Sequence, residues 1–319
     1  MVQGQVSGRA TLALCVAALL TGCVAPPEWQ SDLAVALSPK ARGGRDLVVF
    51  FALPGREMSD RMQARLDDPV VMTALARGSF AAVTCDGVAR KRLYGAWIGG
   101  GEGMGIAVIG PDGHCYCARP GPQDPEQLAA LLDLCARERG ALGDLRQRQA
   151  AAPRDPLLQH DLGCLYLKLG CRVHSEPLLL EAATAGVAEA RHRLARLYAL
   201  DGDVTSARRW LRAAPRTPAA MATEGYVLFK ERRHVEAVAV FEEALKTGKL
   251  GAERQRAELY LGKSLHEAKQ DERAVPILER LANEGTGSTF EAAARHTLGH
   301  IYNPDHGHTH GVAPGPGRR

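Results

Sequence analysis

Three features of well-known functional classes are missing from this sequence. The 319 residues carry a formal charge of +4 with both signs interspersed, whereas a nucleic-acid-binding surface needs clustered basic residues. The apolar stretch at residues 10–20 has about half the length of roughly 20 residues that a membrane-spanning helix requires. The glycine-rich segment at residues 99–105 lacks the lysine and hydroxyl residue of a P-loop. The sequence therefore argues against nucleic-acid binding, a permanent transmembrane helix and P-loop nucleotide binding.

The N-terminus has the pattern of an export signal. Arg9 precedes the apolar stretch, and Leu20-Thr21-Gly22-Cys23 follows it. This tetrapeptide resembles the lipobox of bacterial lipoproteins, which implies that residues 1–22 are a signal peptide and that Cys23 is lipidated. Attachment of more than one acyl chain makes such an anchor stable. Because Val24 stands where these families carry an aspartate for inner-membrane retention, the resemblance points to the outer membrane, facing the periplasm.

Residues 23–140, with a linker at about 23–28, have the pattern of an α/β domain. The apolar run Leu47–Phe51, bounded by glycine and proline, predicts a buried central strand. Other predicted elements are a helix through Met62 and Leu66 that resumes after Pro69, strands at 80–85 and 106–109, a hairpin partner at 114–119 and an amphipathic helix at 127–139. This alternation indicates a mixed sheet covered by helices on both sides.

The order of these elements is similar to that of the thioredoxin-like superfamily, chiefly its periplasmic members. The landmarks are Asp68-Pro69-Val70, Tyr94-Gly95 and Pro111-Asp112-Gly113, placed between the predicted strands and helices. The resemblance implies a redox cysteine pair where Gly55 and Met58 stand and a cis-proline where Met104 stands. Neither glycine nor methionine can attack or resolve a disulfide. We therefore expect the scaffold to be kept, the thiol chemistry to be lost, and no cofactor to be needed.

The other cysteines offer an alternative chemistry. Beyond the signal peptide and Cys23 the sequence contains Cys85, Cys115, Cys117, Cys135, Cys164 and Cys171. An even number outside the cytoplasm permits disulfides, but the spacing leaves their connectivity open. Cys164 and Cys171 on one helix would be too far apart to bond, and Cys115 and Cys117 on one strand would be strained. We interpret them as buried and inert; the alternative is a thiol-disulfide oxidoreductase or metal-thiolate protein that uses Cys115, Cys117 and Cys135.

Residues 141–303 contain an internal helical repeat. Its small residues are Gly163, Ala195, Gly225, Gly262 and Gly299. The 136 positions from first to last divide into four intervals with a mean of 34, the tetratricopeptide period. Each of the first four is followed twelve positions later by another small residue and sixteen positions later by a large one. We predict about four tetratricopeptide hairpins plus a capping helix, with Pro177 and Pro276 near the start of second helices, where amides have no partner to lose.

The resemblance to tetratricopeptide proteins implies a concave groove lined by the first helix of each hairpin. By register its exposed residues are His160, Cys164, Leu167, Lys168, His192, Arg196, Tyr226, Phe229, Lys230, Leu259, Lys263 and His266. The candidates for peptide binding among them are Lys168, Arg196, Tyr226, Phe229, Lys230 and Lys263. Aromatic and basic groups together suit an extended peptide of acidic character. The asparagines of a carboxylate clamp are absent from these positions.

The C-terminal tail, residues 304–319, is rich in His, Gly and Pro, and we expect it to be disordered. His306, His308 and His310 alternate within it, a pattern that can hold Zn, Cu or Ni. We predict no dedicated metal site, and metal delivery by the tail is a further alternative. Unchanged Ni or Cu affinity after deletion of residues 305–319 would exclude it.

The predicted fold class is thus an α/β thioredoxin-like N-terminal domain followed by an all-α tetratricopeptide repeat solenoid. The combination is similar to the chaperedoxins, which hold unfolded client proteins. The hypothesis is a non-catalytic, lipid-anchored envelope protein with protein or peptide partners, acting as a scaffold or chaperone-like adaptor.

Overall fold

The apolar run Leu47–Ala52 forms the central strand of a five-stranded mixed sheet in the N-terminal region. In chain order the strands are β1 (Trp29–Gln30), β2 (Leu47–Ala52), β3 (Ala81–Asp86), β4 (Gly105–Ile109) and β5 (Cys115–Pro120). Their spatial order is β1-β3-β2-β4-β5; β1, β3 and β2 are parallel, β4 is antiparallel to β2, and β5 is antiparallel to β4. β2 lies between β3 and β4, so neither of its edges is free, and residues 47–51 are buried as predicted.

The computed structural model describes residues 27–100, 103–285 and 288–303. Helices of the sheet region are α1 (Leu33–Leu37), α2 (Glu57–Leu66), α3 (Pro69–Arg77), α4 (Lys91–Trp97) and α5 (Pro125–Ala151). The later helices are α6 (Pro156–Leu169), α7 (Arg172–Thr184), α8 (Ala188–Leu200), α9 (Val204–Arg212), α10 (Pro218–Lys230), α11 (His234–Lys246), α12 (Arg254–Glu267), α13 (Asp271–Ala282) and α14 (Thr289–Tyr302), with a short 3-10 turn at Gly251–Glu253. An α/β region is therefore followed by an all-helical one, as the sequence predicts.

The predicted strands are confirmed to within a residue at most ends, whereas the helix predicted at 127–139 is much longer. It runs from Pro125 to Ala151, so the boundary predicted at residue 140 falls inside α5. As a separate observation, the chain forms two compact units, which divide between Arg216 and Thr217. In the first unit, α6 contributes Leu162, Leu165 and Tyr166 to the same hydrophobic core as the strands.

Local capping explains where several helices begin. The Asp68 carboxylate accepts the Val70 amide at 2.9 Å and Pro69 occupies the first turn of α3. Asp155 caps α6 in the same way, accepting from Leu157 at 2.9 Å with Pro156 in the first turn, as the sequence predicts. These two proline-containing starts are fixed by residues that are neighbours in sequence.

Within each unit the helices pack in successive pairs, α6 with α7 and α8 with α9 in the first and α10 with α11 and α12 with α13 in the second, and small residues lie at the contacts. A methyl group at Gly163 would lie 2.9 Å from the Leu179 side chain, and one at Gly262 would lie 2.7 Å from Leu278. These are the partners sixteen positions on that the repeat predicts. Gly299 differs: it is exposed in α14 and an added methyl would meet nothing within 4 Å.

Pro177 and Pro276 share one register position, but not the predicted one. Each is the sixth residue of its helix, α7 or α13, and so lies one turn beyond the partnerless first amides. The expectation that these prolines cost no backbone hydrogen bond is therefore wrong. At this depth a proline removes a donor that would otherwise bond within the helix.

Candidate functional site

The positions at which the resemblance predicts a redox pair and a cis-proline lie at one end of the sheet. Gly55 follows β2 with φ +73°, a backbone conformation that favours glycine, and Met58 is the second residue of α2. Strand register pairs Phe51 with Gly105, so Met104 stands at the same end of the neighbouring strand. Met58 is 58% exposed, whereas Met104 is buried. No thiol is supplied by these three positions, and the peptide bonds of the described residues are all trans.

Two hydrogen bonds hold the backbone at Met104. Its carbonyl accepts hydrogen bonds from the Gly121 amide at 2.8 Å and the Tyr94 hydroxyl at 3.3 Å. On the opposite side, the Ser59 hydroxyl accepts from the Leu53 amide at 2.9 Å, which fixes the loop that enters α2. At this end of the sheet the loop into α2 is held by a hydrogen bond, and Met58 presents a thioether, which is not a nucleophilic thiol.

The described cysteines carry thiols, and five of the six are buried. Burial raises the pKa of Cys85 to about 11. The pKa of Cys115 is also raised, by a hydrogen bond with Cys171 and by burial. Protonated, enclosed thiols are poor nucleophiles. Cys164 is half-buried in α6, with its Sγ 3.4 Å from His160 Nε2, and Cys171 follows α6, so the two do not share a helix.

In the second unit, α10 and α12 bring together an aromatic cluster flanked by lysines. The Tyr226 and Tyr260 rings meet edge to face at 4.6 Å, and Phe229 lies 5.3 Å from Tyr260. Lys230 Nζ sits 5.9 Å from the Tyr226 ring centre and Lys263 Nζ 5.5 Å from that of Tyr260. Within the described chain neither ammonium is within ion-pair distance of a carboxylate. We call these five residues the aromatic-lysine cluster.

Burial corrects part of the predicted groove. Tyr226 is only 3% exposed because Tyr260, which the register did not include, covers it. Leu167, His192 and Leu259 are buried as well, so these three are not groove residues. Phe229 and Lys263 are half-buried and Lys230 is exposed, as expected for a binding surface. Tyr260 could have been found from its spacing. It lies three positions before Lys263 in α12, and residues three apart lie on the same face of a helix.

Lys168 and Arg196 belong to the first unit, whereas the other four peptide-binding candidates belong to the second. Lys168 is exposed but forms an ion pair with Glu138 at 2.8 Å. Arg196 is half-buried in α8. Cys23 and the histidines at 306, 308 and 310 lie outside the described residues.

Sequence reasoning missed a cleft of about 410 Å³ in the first unit, which is lined by residues from the β4–β5 turn, α5, α6 and α7. His114 Nε2 lies 2.6 Å from the Tyr166 hydroxyl, and its ring stacks on His174 at 4.3 Å. Burial, together with Arg146, lowers the pKa of His114 to about 4 and lowers that of His174 as well. Both imidazoles are therefore neutral near pH 7. They come from distant parts of the chain, so no local pattern predicts their meeting.

No family model matches the chain, and no curated protein matches it in sequence. Its function must be argued from its own residues. Among the described residues, no cluster of three or more His, Cys, Asp or Glu side chains is arranged to hold a metal ion. Nor does any helix within the described ranges have the length and apolarity to cross a bilayer.

Proposed function

We propose that this chain is a non-catalytic, protein-binding scaffold or adaptor of the bacterial envelope, built from a redox-inactive thioredoxin-like domain and tetratricopeptide repeats. The mixed sheet with its central β2 supports the first assignment. The second is supported by consecutive helix pairs whose small and large residues meet at the predicted spacing, with a mean period of 34 residues. The loss of redox activity follows from Gly55, Met58 and Met104, which leave the sheet corner without a thiol.

The observation that carries the binding proposal is the aromatic-lysine cluster. Lys230 and Lys263 are each held over a tyrosine ring, with no ion pair to a carboxylate of the described chain. The electrostatic attraction between an ammonium and an aromatic face helps to hold the cation in position before a ligand binds. Two oriented cations beside the half-buried Phe229 offer charge and apolar contact at once. This combination suits an extended peptide with acidic and apolar side chains.

Binding can be tested with the full chain by crosslinking in cells, followed by identification of the captured proteins and affinity measurements with peptides from them. Replacing Lys230 and Lys263 together by Ala should weaken binding about tenfold, equivalent to ~1–2 kcal/mol for two partly exposed charges. Phe229→Ala should weaken binding through lost apolar contact. Tyr226→Ala is unsuitable as a probe because this side chain is buried and its removal would disturb packing.

A matched control is available in the same unit. Lys246 and Lys249 are exposed and lie outside the aromatic-lysine cluster. Their double replacement by Ala removes the same charge but should leave affinity within twofold, apart from a salt-dependent change in association rate. Equal losses of affinity in both double variants would show that the lysines act only through nonspecific charge. Unchanged affinity in the Lys230/Lys263 variant would refute the aromatic-lysine cluster as the binding site.

The redox alternative is tested by insulin reduction with the purified mature protein. We expect no turnover, because five of the six described thiols are buried and Gly55 and Met58 supply no thiol at the start of α2. Turnover that Cys115→Ser abolishes would contradict a purely scaffolding role.

The proposed anchor at Cys23 is tested separately in cells. Labelled fatty acid should be incorporated into the full chain and lost in Cys23→Ser. Membrane fractionation should follow the label, since stable attachment requires the acyl chains. Membrane association without the label would contradict a lipid anchor.

A further inference from the structure

Four of the buried thiols meet in two pairs at β5. The Cys171 thiol lies against the backbone of Cys115, donating to its carbonyl oxygen at 3.6 Å, and its interaction with the Cys115 thiol is the largest cause of the raised pKa of Cys115. Cys117 in β5 and Cys135 in α5 are both fully buried in the same core, and their interaction lowers the pKa of Cys117, whereas burial and the same interaction raise the pKa of Cys135. All four belong to the core of the first unit.

An irregularity in β5 separates the two pairs. The register joins Val108 to Cys117 but the next residue, Ile109, to Cys115, so Tyr116 is an extra residue on β5. Such a bulge breaks the alternation of side chains along a strand. The side chains of Cys115 and Cys117 therefore lie next to different cysteines, although the two residues are next-but-one neighbours in sequence.

The elements that carry these thiols are held closely together. Arg119, in β5, donates from Nη1 to the Leu169 carbonyl at the end of α6, at 3.0 Å. Gly170 follows with φ +78°, and a methyl group there would overlap the Arg119 guanidinium. Cys171 is thus fixed beside β5 by its two preceding residues. Cys135 is fixed within α5, whose Arg139 bonds the buried Asp46 at 2.6 Å.

We propose that these four residues form two disulfides in the oxidised protein, Cys115–Cys171 and Cys117–Cys135, and that Cys85 and Cys164 keep their thiols. In each reaction one cysteine, as thiolate, attacks a donor disulfide such as glutathione disulfide, forming a mixed disulfide and releasing one donor thiol. The second cysteine then displaces the other donor thiol. One protein S–S bond forms, the donor S–S bond is broken, and two electrons and two protons pass from the protein thiols to the donor.

Competing connectivities fit the structure less well. A bond between Cys115 and Cys117 would join next-but-one residues of one strand, where the geometry is strained. Cys164 lies within α6 and faces His160, whereas Cys171 lies beyond the end of that helix against β5. Cys85 is on β3, and the charged groups that influence it are Arg90 and Asp86.

The two bonds would have distinct mechanical effects. Cys117–Cys135 would tie β5 to α5 within the sheet region, closing a short loop. Cys115–Cys171 would join residues 56 positions apart and fasten the start of α7 to the sheet. The longer loop restricts the unfolded chain more, so the second bond should raise the unfolding temperature further.

The test uses the mature chain beginning at Cys23, reduced and unfolded, then refolded in a buffer of reduced and oxidised glutathione. Remaining thiols are alkylated under denaturing conditions, and the protein is digested without reduction and mapped by mass spectrometry. Trypsin alone leaves Cys115, Cys117 and Cys135 on one peptide, because Arg119 precedes a proline. Chymotrypsin, which cuts after Tyr116, separates the two β5 cysteines.

We expect peptides linked through Cys115–Cys171 and Cys117–Cys135, with Cys85 and Cys164 alkylated. The double variant Cys115→Ser/Cys171→Ser should retain the Cys117–Cys135 link, the reciprocal variant the other link, and Cys85→Ser/Cys164→Ser both. Alkylation of Cys115, Cys117, Cys135 and Cys171 after native refolding, or any other pairing, would overturn the proposal. Because no peptide partner is involved, failure here leaves the proposed binding function untouched, and loss of peptide binding leaves the disulfides untouched.

Discussion

Substitution of Gly225 by alanine tests whether the small residues of the repeat exist to admit a neighbouring helix. An added methyl group would lie 2.8–2.9 Å from three atoms of the Phe241 ring, which is fully buried between α10 and α11. A rigid ring cannot give way as the end of a flexible chain can. Overpacking of this kind costs about 1–3 kcal/mol.

The same change has an opposing local effect. Alanine favours a helix interior over glycine by ~1 kcal/mol, because glycine loses more backbone freedom on folding. The net of the packing cost and this gain is about 0–2 kcal/mol, and because three ring atoms are met at once we expect Gly225→Ala to lower the free energy of unfolding of the second unit by an amount in the upper half of that range.

Gly299→Ala is the matched control, since it is also a helical glycine of the second unit but has nothing within 4 Å of the added methyl. There the helix preference acts alone, and stability should stay level or rise by ~0.5–1 kcal/mol. Urea unfolding of the full chain, followed by far-UV circular dichroism, measures both variants. All three tryptophans lie in the first unit, so their fluorescence reports that unit separately.

A shift of about 0.5–1 M in the urea midpoint of the second unit is expected for Gly225→Ala, given typical slopes for small domains. The added variant Gly225→Ala/Phe241→Leu should recover part of the loss, because the smaller side chain leaves room for the methyl. If Gly225→Ala and Gly299→Ala have the same stability, the close approach of α10 and α11 does not require a glycine at position 225.

Two further predictions concern the first unit. His114 has a pKa of about 4 in the folded protein and near 6.5 when unfolded, so the unfolded chain binds more protons between these values. Stability should therefore fall as pH drops from about 6.5 to about 4, by roughly 1–2 kcal/mol after allowance for solvent screening, and His114→Gln should flatten this slope in thermal unfolding. Asp46 is 1% exposed and accepts from Tyr116 at 2.5 Å and Arg139 at 2.6 Å, so Asp46→Ala should cost about 2–4 kcal/mol in urea unfolding. Asp133→Ala, which breaks a surface pair with Arg77, should cost under about 1 kcal/mol, and equal losses in both variants would contradict a special role for the buried carboxylate.

Much of the fold could be predicted because the signals are local. The central strand is a continuous apolar run, and α3 and α6 begin at an aspartate followed by proline. The pairing of Gly225 with Phe241 follows from a spacing of sixteen residues within one helical hairpin. The extension of α5 to Ala151 was missed, because its second half carries little apolar periodicity to predict a continuous helix.

The candidate sites were less predictable. The helical register placed Phe229, Lys230 and Lys263 correctly on one surface, but it could not show that Tyr260 covers Tyr226. Burial depends on the neighbouring helix, whose offset is set by packing and not by either helix alone. The cleft with His114 and His174 gave no signal, since the two residues are brought together through the β4–β5 turn and α7.

By itself the sequence determined the order of strands and helices, the spacing of the helical hairpins and the absence of cysteine at Gly55 and Met58. These follow from periodicity, capping and residue chemistry, which act over a few neighbouring positions. Tertiary structure alone decided which thiols meet, which aromatic side chains are covered and which histidines stack. Such contacts join residues far apart in the chain, and a single inserted residue such as Tyr116 in β5 changes the partner of each cysteine beside it.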